Sequence, residues 1–96
     1  MKRQNDQSLG DALRGMANEL GLRPKLDELD AISAWDHVAG GMIAKHTRSI
    51  KLRSNRLYIA VDSAPLKQEL SYRKEDLVAR LNERLGRTVV EQIVLT

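Results

Sequence analysis

Hydrophobic residues recur every three or four positions through the first half of the chain, and this spacing predicts helices. A first helix is expected over Ser8–Gly21, where large apolar residues form one narrow stripe: Leu9, Leu13, Met16 and Leu20. Ser8 is a suitable N-cap, because its hydroxyl can accept a hydrogen bond from the first turn. Gly21 is a suitable C′ residue, so both ends of this helix are defined by the sequence.

A second helical pattern follows Pro24, because proline and the residue before it resist the helical conformation. This helix is expected over residues 25–46, with a kink where Gly40 and Gly41 interrupt the pattern. Trp35 lies on its apolar side. Its position favours a buried core anchor over an exposed stacking surface.

From Thr47 the hydrophobic period changes from 3.6 to 2, as expected for two strands joined by a tight turn. Ser54 and Asn55 form that turn, where asparagine tolerates the required positive φ. The resulting register places Arg53 opposite Arg56. It also separates an apolar face from a polar face. The apolar face holds Ile50, Leu52, Leu57, Ile59 and Val61. The polar face holds Thr47, Ser49, Lys51, Arg53, Arg56, Tyr58 and Ala60.

The longest helix is expected from the cap at Ser63 to Gly86, with Pro65 in its first turn. Five leucines form its buried stripe: Leu66, Leu70, Leu77, Leu81 and Leu85. Acidic residues precede basic ones by four positions in three pairs on this helix: Glu69/Arg73, Asp76/Arg80 and Glu83/Arg87. This orientation stabilises a helix surface. A third strand is expected over Thr88–Leu95, where β-branched residues predominate.

The predicted order is α-α-β-β-α-β, which favours an α+β fold with a small three-stranded sheet and helices packed on one face. The 96 residues suffice for one small domain. We therefore expect a single domain over 1–96, with an N-terminal helix at 8–21 and a core at 25–96.

Composition excludes several classes of protein and of site. Cysteine is absent, so there are no disulfides and no thiolate metal sites. No apolar run is long enough to span a bilayer, and no hydrophobic segment follows Met1–Asp6 as a secretion signal would require. A cytoplasmic protein without membrane contact is expected.

The residue types used in catalysis do not form a recognisable site. His37 and His46 are nine residues apart, and no other residue completes a metal-binding pattern with them. Ser63 has no nearby histidine to serve as its base, and Gly40-Gly41 lies within a helical pattern rather than in a phosphate-binding loop. We expect no enzymatic activity, no cofactor, no metal and no small-molecule substrate.

The net charge of +3 arises from one segment. Residues 45–61 contain five basic residues and no acid: Lys45, Arg48, Lys51, Arg53 and Arg56. A local excess of one sign indicates an anionic partner, although a solvated face that discourages aggregation has the same composition. Arg53 and Arg56 repel each other by roughly 0.2–1 kcal/mol across the turn, and a phosphate between them would relieve that repulsion.

These residues form the candidate nucleic-acid interface, to which Tyr58 adds a hydrogen-bond donor. Tyr58 is the only aromatic side chain on the predicted polar face, whereas sheets that read bases stack several of them on exposed aromatics. Phosphate contact is therefore favoured over base reading. The alternative is that the arginines simply extend into solvent.

The order of several short motifs between Ile32 and Val94 resembles the DciA family of small bacterial proteins. The motifs are Trp35…Val38…Gly40, Ile43-Ala44 with His46-Thr47, Leu57-Tyr58-Ile59 before Val61 and Ser63-Ala64, Leu70, and Leu81-Asn82…Leu85-Gly86. The resemblance implies a KH-like domain. It also implies a bacterial replication factor that recruits or loads the replicative DnaB-type helicase. Together with the basic hairpin, this predicts an adaptor that binds the helicase and, weakly and in a salt-dependent way, DNA or RNA. The alternative is a general RNA- or DNA-binding KH-like module without a helicase role.

Overall fold

The structure, a computed structural model, describes residues 8–96. Its elements follow the order α-α-α-β-β-α-α-β: α1 (Leu9–Glu19), α2 (Arg23–Ala39), α3 (Gly41–Lys45), β1 (Thr47–Arg53), β2 (Arg56–Val61), α4 (Ala64–Ser71), α5 (Lys74–Leu85) and β3 (Gln92–Leu95). The three strands form one sheet in the order β1-β2-β3. The predicted α+β class is confirmed, while the likeness to KH domains stays a prediction.

Both of the longer predicted helices are divided. The helix expected over 25–46 ends at Ala39, because Gly40 has a φ of 93°, which is outside the helical region and is easily adopted only by glycine. The helix expected over 63–86 is interrupted at Tyr72 and Arg73, which separate α4 from α5. The sequence contains no glycine or proline at this second break, so it gave no signal there.

The hairpin of β1 and β2 has the predicted register, with Arg53 opposite Arg56 and Lys51 opposite Tyr58. Its turn contains the only two non-glycine residues with positive φ in the part of the chain that the structure describes, Ser54 at 51° and Asn55 at 64°. Two consecutive positive φ angles are typical of the type I′ turn, whose twist matches that of the strands. The hairpin is therefore determined by local sequence.

A bulge at Arg48 changes the alternation of side chains at the start of β1. Thr47 pairs with Val61 and Ser49 pairs with Ala60, so β1 contains one extra residue between the two pairs. Val61 is buried, and Thr47 opposite it faces the core. The predicted position of Thr47 on the polar face is therefore wrong.

Trp35 is fully buried, as its position in the apolar pattern predicts. Its indole Nε1 donates a hydrogen bond to Thr47 Oγ1 at 3.0 Å, and that hydroxyl donates to the Ile43 carbonyl at 2.7 Å. The buried indole nitrogen is thus satisfied, and the two consecutive hydrogen bonds join α2, β1 and α3.

The core lies between the apolar face of the sheet and the helices. Its fully buried large side chains come from α2, α4, α5, the strands and the connection that precedes β3: Trp35, Leu57, Ile59, Leu70, Leu77, Leu81, Val90 and Ile93. The central three of the five predicted helix leucines are fully buried, and the outer two, Leu66 and Leu85, are partly buried. The predicted stripe is confirmed.

The last strand is shorter than predicted and begins only at Gln92. The preceding segment is an irregular connection held by Asn82 of α5. The side-chain oxygen of Asn82 accepts hydrogen bonds from the Val89 and Val90 amides at 2.9 Å, and its nitrogen donates to the Val90 carbonyl at 2.8 Å. These bonds fix the backbone just before β3, which pairs in parallel with β2.

Arg87 links the end of α5 to α2. Its Nη2 lies 2.7 Å from Asp27 Oδ1 and 3.1 Å from Asp30 Oδ2, and Asp30 also accepts a bond from Arg14 of α1 at 3.1 Å. Partial burial opposes ionisation of Asp30, but the hydrogen bonds from Arg87 and Arg14 outweigh it and hold its pKa below the ordinary value. Arg87 therefore does not form the predicted pair with Glu83.

The apolar stripe of α1 faces outward. Leu9, Leu13, Met16 and Leu20 are 76%, 52%, 57% and 67% exposed, whereas Ala17 is the buried residue of this helix. The N-cap at Ser8 is as predicted, since its hydroxyl accepts a bond from the Asp11 amide. The sequence thus predicted the helix correctly, while the structure leaves its apolar side without a partner among residues 8–96.

Replacing Trp35 by alanine is expected to lower the free energy of unfolding by about 3–5 kcal/mol, because a cavity forms and the Thr47 hydroxyl loses its donor. Urea denaturation measures this as a lower midpoint. Asp36→Ala, at the exposed neighbouring position, is the matched control and should change stability by less than about 0.5 kcal/mol. Equal midpoints for the two variants would contradict the anchoring role of Trp35.

Candidate nucleic-acid interface

The side of the sheet opposite the core carries the candidate interface, which we call the outer face. It comprises eight side chains: Ser49, Lys51, Arg53, Arg56, Tyr58, Ala60, Gln92 and Val94. Strand alternation positions them, because their neighbours along each strand point into the core. The outer face therefore has the flatness of the sheet and the charge of the hairpin.

Strand register arranges the outer face in rows. Two rows cross all three strands: Arg53–Arg56–Gln92 and Lys51–Tyr58–Val94. The rows lie about 7 Å apart along the strands, and neighbouring side chains in a row lie about 5 Å apart. Tyr58 is half-buried at the centre, next to a valine and surrounded by three cations. This arrangement suits an anion that also carries a flat apolar group.

A shallow depression of about 270 Å³ lies on this face, lined by Ser49, Lys51, Arg53, Tyr58 and Thr96. Two cations and three hydroxyl groups surround it. These are the groups that bind phosphate oxygens in proteins, by charge and by hydrogen bonding. The depression is open to solvent, so it can admit a chain rather than enclose a small molecule.

Four of the six predicted interface residues come together here: Lys51, Arg53, Arg56 and Tyr58. The other two do not join them. Arg48 is in the bulge at the open end of the hairpin, about 16 Å along the strand from Arg53. Lys45 ends α3, before the sheet begins. The charged segment of the sequence is thus divided between the two ends of the hairpin.

Arg48 is also engaged differently from the other cations. Its guanidinium contacts the Asp62 carboxylate, whose other oxygen lies 2.8 Å from His46 Nδ1. The hydrogen bond from His46, together with that from Arg48, outweighs partial burial and holds the pKa of Asp62 below its ordinary value. Arg48 therefore has an acidic partner, whereas Lys51, Arg53 and Arg56 form no ion pair within residues 8–96.

The free edge of β1 is protected by Glu28, a residue that the sequence did not single out. Its carboxylate accepts a hydrogen bond from the Leu52 amide at 3.0 Å and one from Lys25 at 3.0 Å. These two bonds, the backbone one first, hold the pKa of Glu28 below its ordinary value. Glu28 stays ionised, and its carboxylate accepts the hydrogen bond of the Leu52 N–H, which could otherwise pair with another strand.

Two kinds of feature are not found in the described part of the chain. Residues 8–96 contain no group of three or more histidine and acidic side chains that could hold a metal ion. None of their helices combines the length and apolar character needed to cross a bilayer.

Comparison with known proteins identifies the family. The family described as "Dna[CI] antecedent, DciA" matches residues 8–95, which include every helix and strand given above. The chain belongs to the DciA family. The match begins at the N-cap of α1, so α1 and its exposed stripe are part of the DciA domain.

Curated relatives of this DciA chain include the UPF0232 proteins of Mycobacterium bovis and Mycobacterium tuberculosis. Each is 27% identical over 93 residues, which cover 97% of this chain and 50% of the relative. The chain thus spans about half the length of the curated relatives it matches.

Gln92 and Val94 belong to the outer face, although sequence reasoning missed them. The β-branched run predicted a strand there, but no local signal indicates which strand it joins. Only the parallel pairing with β2 places Gln92 beside Arg56 and Val94 beside Tyr58. Glu28 was missed for the same reason, since it acts on an amide 24 residues away in this DciA domain.

The Asp62 carboxyl is expected to titrate with a pKa below its ordinary value in the folded protein. Carbon-13 chemical shifts of the carboxyl against pH measure this. His46→Ala should raise the pKa of Asp62, because the carboxylate loses the hydrogen bond from the imidazole, and Arg48→Ala should raise it less. His37→Ala is the control, with no expected change. A wild-type pKa at or above the ordinary value would show that the contact does not form.

Proposed function

We propose that this chain is a non-enzymatic adaptor of bacterial DNA replication, which recruits or loads a DnaB-type helicase and binds nucleic acid weakly through the outer face. The observation that carries the proposal is the match to the DciA family across residues 8–95. An adaptor acts through its surfaces, and two surfaces of this domain have the necessary chemistry.

The exposed stripe of α1 suits a protein partner. Its four large apolar side chains are all more than half exposed, and contiguous apolar surface of this kind is typical of protein–protein contact sites. The residues recur at spacings of four, three and four, which is the seam that a neighbouring helix packs against. The helicase is the partner proposed for this stripe.

The outer face suits a nucleic-acid backbone. None of its three cations forms a salt bridge within the described residues, so a phosphate can approach without displacing an existing ion pair. Tyr58 at the centre offers one ring on which a base can stack. A single ring gives little sequence preference, so we expect tolerant binding of single strands.

A second candidate is a general RNA- or DNA-binding module without a helicase role. The chemistry of the outer face favours it equally, because that face does not depend on a protein partner. The two functions differ in whether the protein binds helicase directly.

Tagged protein added to its native bacterial lysate is expected to enrich the replicative helicase, and nuclease treatment should leave the enrichment unchanged. Leu13→Glu should reduce the enrichment at least tenfold, because it places a charge in the apolar stripe. Gln68→Glu is the control, since it adds the same charge at an exposed position of α4. Enrichment lost on nuclease treatment would favour the general nucleic-acid module.

Binding to a labelled single strand is expected to be weak and steeply dependent on salt. With three phosphate contacts, the logarithm of the binding constant should fall with the logarithm of the salt concentration with a slope of about −2. A tenfold rise in salt should then weaken binding roughly a hundredfold. Arg53→Glu with Arg56→Glu should remove most of the slope. Fluorescence anisotropy at several salt concentrations measures it.

The control for that experiment is Arg80→Glu with Arg84→Glu, two exposed arginines of α5 that give the same change in net charge. These changes should reduce affinity much less, because α5 packs on the opposite side of the sheet. If both double variants lose affinity equally, the effect is one of net charge and the outer face is not the site.

A further inference from the structure

The free edge of β1 carries backbone groups that no other group of residues 8–96 binds. The Ile59 carbonyl accepts a hydrogen bond from the Thr96 amide at 3.0 Å, so the backbone groups of Ile59 face β3. Ile50 lies opposite Ile59 in the antiparallel hairpin. Because the residues of such a pair face away from each other, the N–H and C=O of Ile50 point to the free edge. Neither group has a hydrogen-bond partner within residues 8–96.

Glu28 protects only one amide of this edge. Its carboxylate accepts a hydrogen bond from the Leu52 N–H, which points outward as the groups of Ile50 do, two residues away. At the other end, the bulge at Arg48 interrupts the regular alternation. Three outward groups thus remain open: the N–H and C=O of Ile50 and the C=O of Leu52. This stretch is long enough for a short extended segment and too short for a long strand.

A groove of about 240 Å³ runs beside these open groups, between β1 and the helices α2 and α3. We call it the β1 groove, and its lining comprises Ile32, Trp35, Asp36, Ala44, Thr47, Arg48, Ser49 and Ile50. Ile32 is 36% exposed, and Ala44 and Ile50 are partly buried, so the groove has an apolar wall. Proteins bind extended peptides as an added strand where an open sheet edge has a side-chain pocket beside it.

We propose that the β1 groove binds an extended segment of a partner protein, antiparallel to β1, in which one apolar residue is flanked by acidic residues. The Ile50 N–H donates to the carbonyl of the apolar residue, whose own N–H donates to the Ile50 carbonyl. The residue opposite Leu52 donates a third bond to the Leu52 carbonyl. This site is separate from the stripe of α1, and it does not depend on the proposed function.

Alternation along the added strand determines the chemistry of the segment. The residue opposite Ile50 lies on the helix side of the sheet, where Ile32 and Ala44 offer an apolar pocket for its side chain. Its two neighbours point to the other side, and one of them lies beside Lys51. Lys51 forms no salt bridge within residues 8–96, so an acidic neighbour gains a favourable cross-strand pair.

Charges at the two ends of the groove favour the antiparallel direction. The acidic residue that follows the apolar one then lies beside Ser49 and near Arg48, whose side chain is 70% exposed although it contacts Asp62. A guanidinium can donate to both carboxylates. Asp36 lines the helix side of the groove and disfavours an acidic residue in the apolar pocket itself. The acidic residues therefore flank the apolar residue and do not replace it.

A fluorescein-labelled pentapeptide with blocked ends and the sequence TEVET is the probe, with valine as the apolar residue. Fluorescence anisotropy should show saturable binding to the wild-type chain. The same peptide with a methyl group on the valine nitrogen is the matched control. It lacks the N–H that donates to the Ile50 carbonyl and should bind at least tenfold more weakly. The peptide TKVKT should also bind more weakly, because its lysines meet Lys51 and Arg48.

A pair of variants tests the apolar pocket. Ile32→Glu places a charge against the valine of the probe and should weaken binding at least tenfold. Leu29→Glu is the matched control, since it adds the same charge to α2 at a position that is 49% exposed and does not line the groove. This variant should bind as the wild type does. Circular dichroism establishes that both variants are folded.

Amide hydrogen exchange locates the bound peptide. In the free chain the Ile50 N–H should exchange faster than the Lys51 N–H, which faces β2 opposite Tyr58. Slowing of the Ile50 exchange by TEVET supports the proposal. Four results would overturn it: no binding of TEVET to the wild type, equal binding of the methylated peptide, equal binding by the two glutamate variants, or an Ile50 N–H that is already protected in the free chain.

Discussion

The burial of Trp35 fixes how β1 packs against α2 and α3. An indole N–H left unpaired in the core would cost about 1–3 kcal/mol, and the Thr47 hydroxyl is the acceptor that prevents this. Thr47 points inward only because β1 has a bulge at Arg48. The same bulge directs Arg48 to the surface beside Asp62, so the anchoring of the core also determines which cations remain on the outer face.

Acidic residues are distributed so that the outer face keeps its positive charge. Asp27 and Asp30 are bound on the helical side of the domain by Arg14 of α1, Arg23 of α2 and Arg87, which follows α5. Asp62 binds Arg48 at the open end of the hairpin. No acid of residues 8–96 forms a salt bridge with the three cations near the turn. An anion bound between Arg53 and Arg56 would therefore relieve the repulsion between these two side chains.

Much of the fold could be predicted because its signals are local. The hairpin register follows from strict alternation around a two-residue turn that tolerates positive φ, and the leucines of α4 and α5 follow from helical spacing. Trp35 could be assigned to the core from its neighbours in the pattern. Within the candidate site, the residues that β1 and β2 contribute near the turn were predicted, because two paired strands place them without reference to any other element.

Local patterns of residues were enough to predict the α+β class, the hairpin and the charge of its polar side. Long-range packing was needed to show that β3 lies parallel to β2, that Arg87 pairs with Asp27, and that the stripe of α1 faces outward. Each of these depends on residues far apart in the chain. Periodicity shows that a helix or strand has an apolar side, but it does not show which element covers that side, because the covering residues leave no mark on the local pattern.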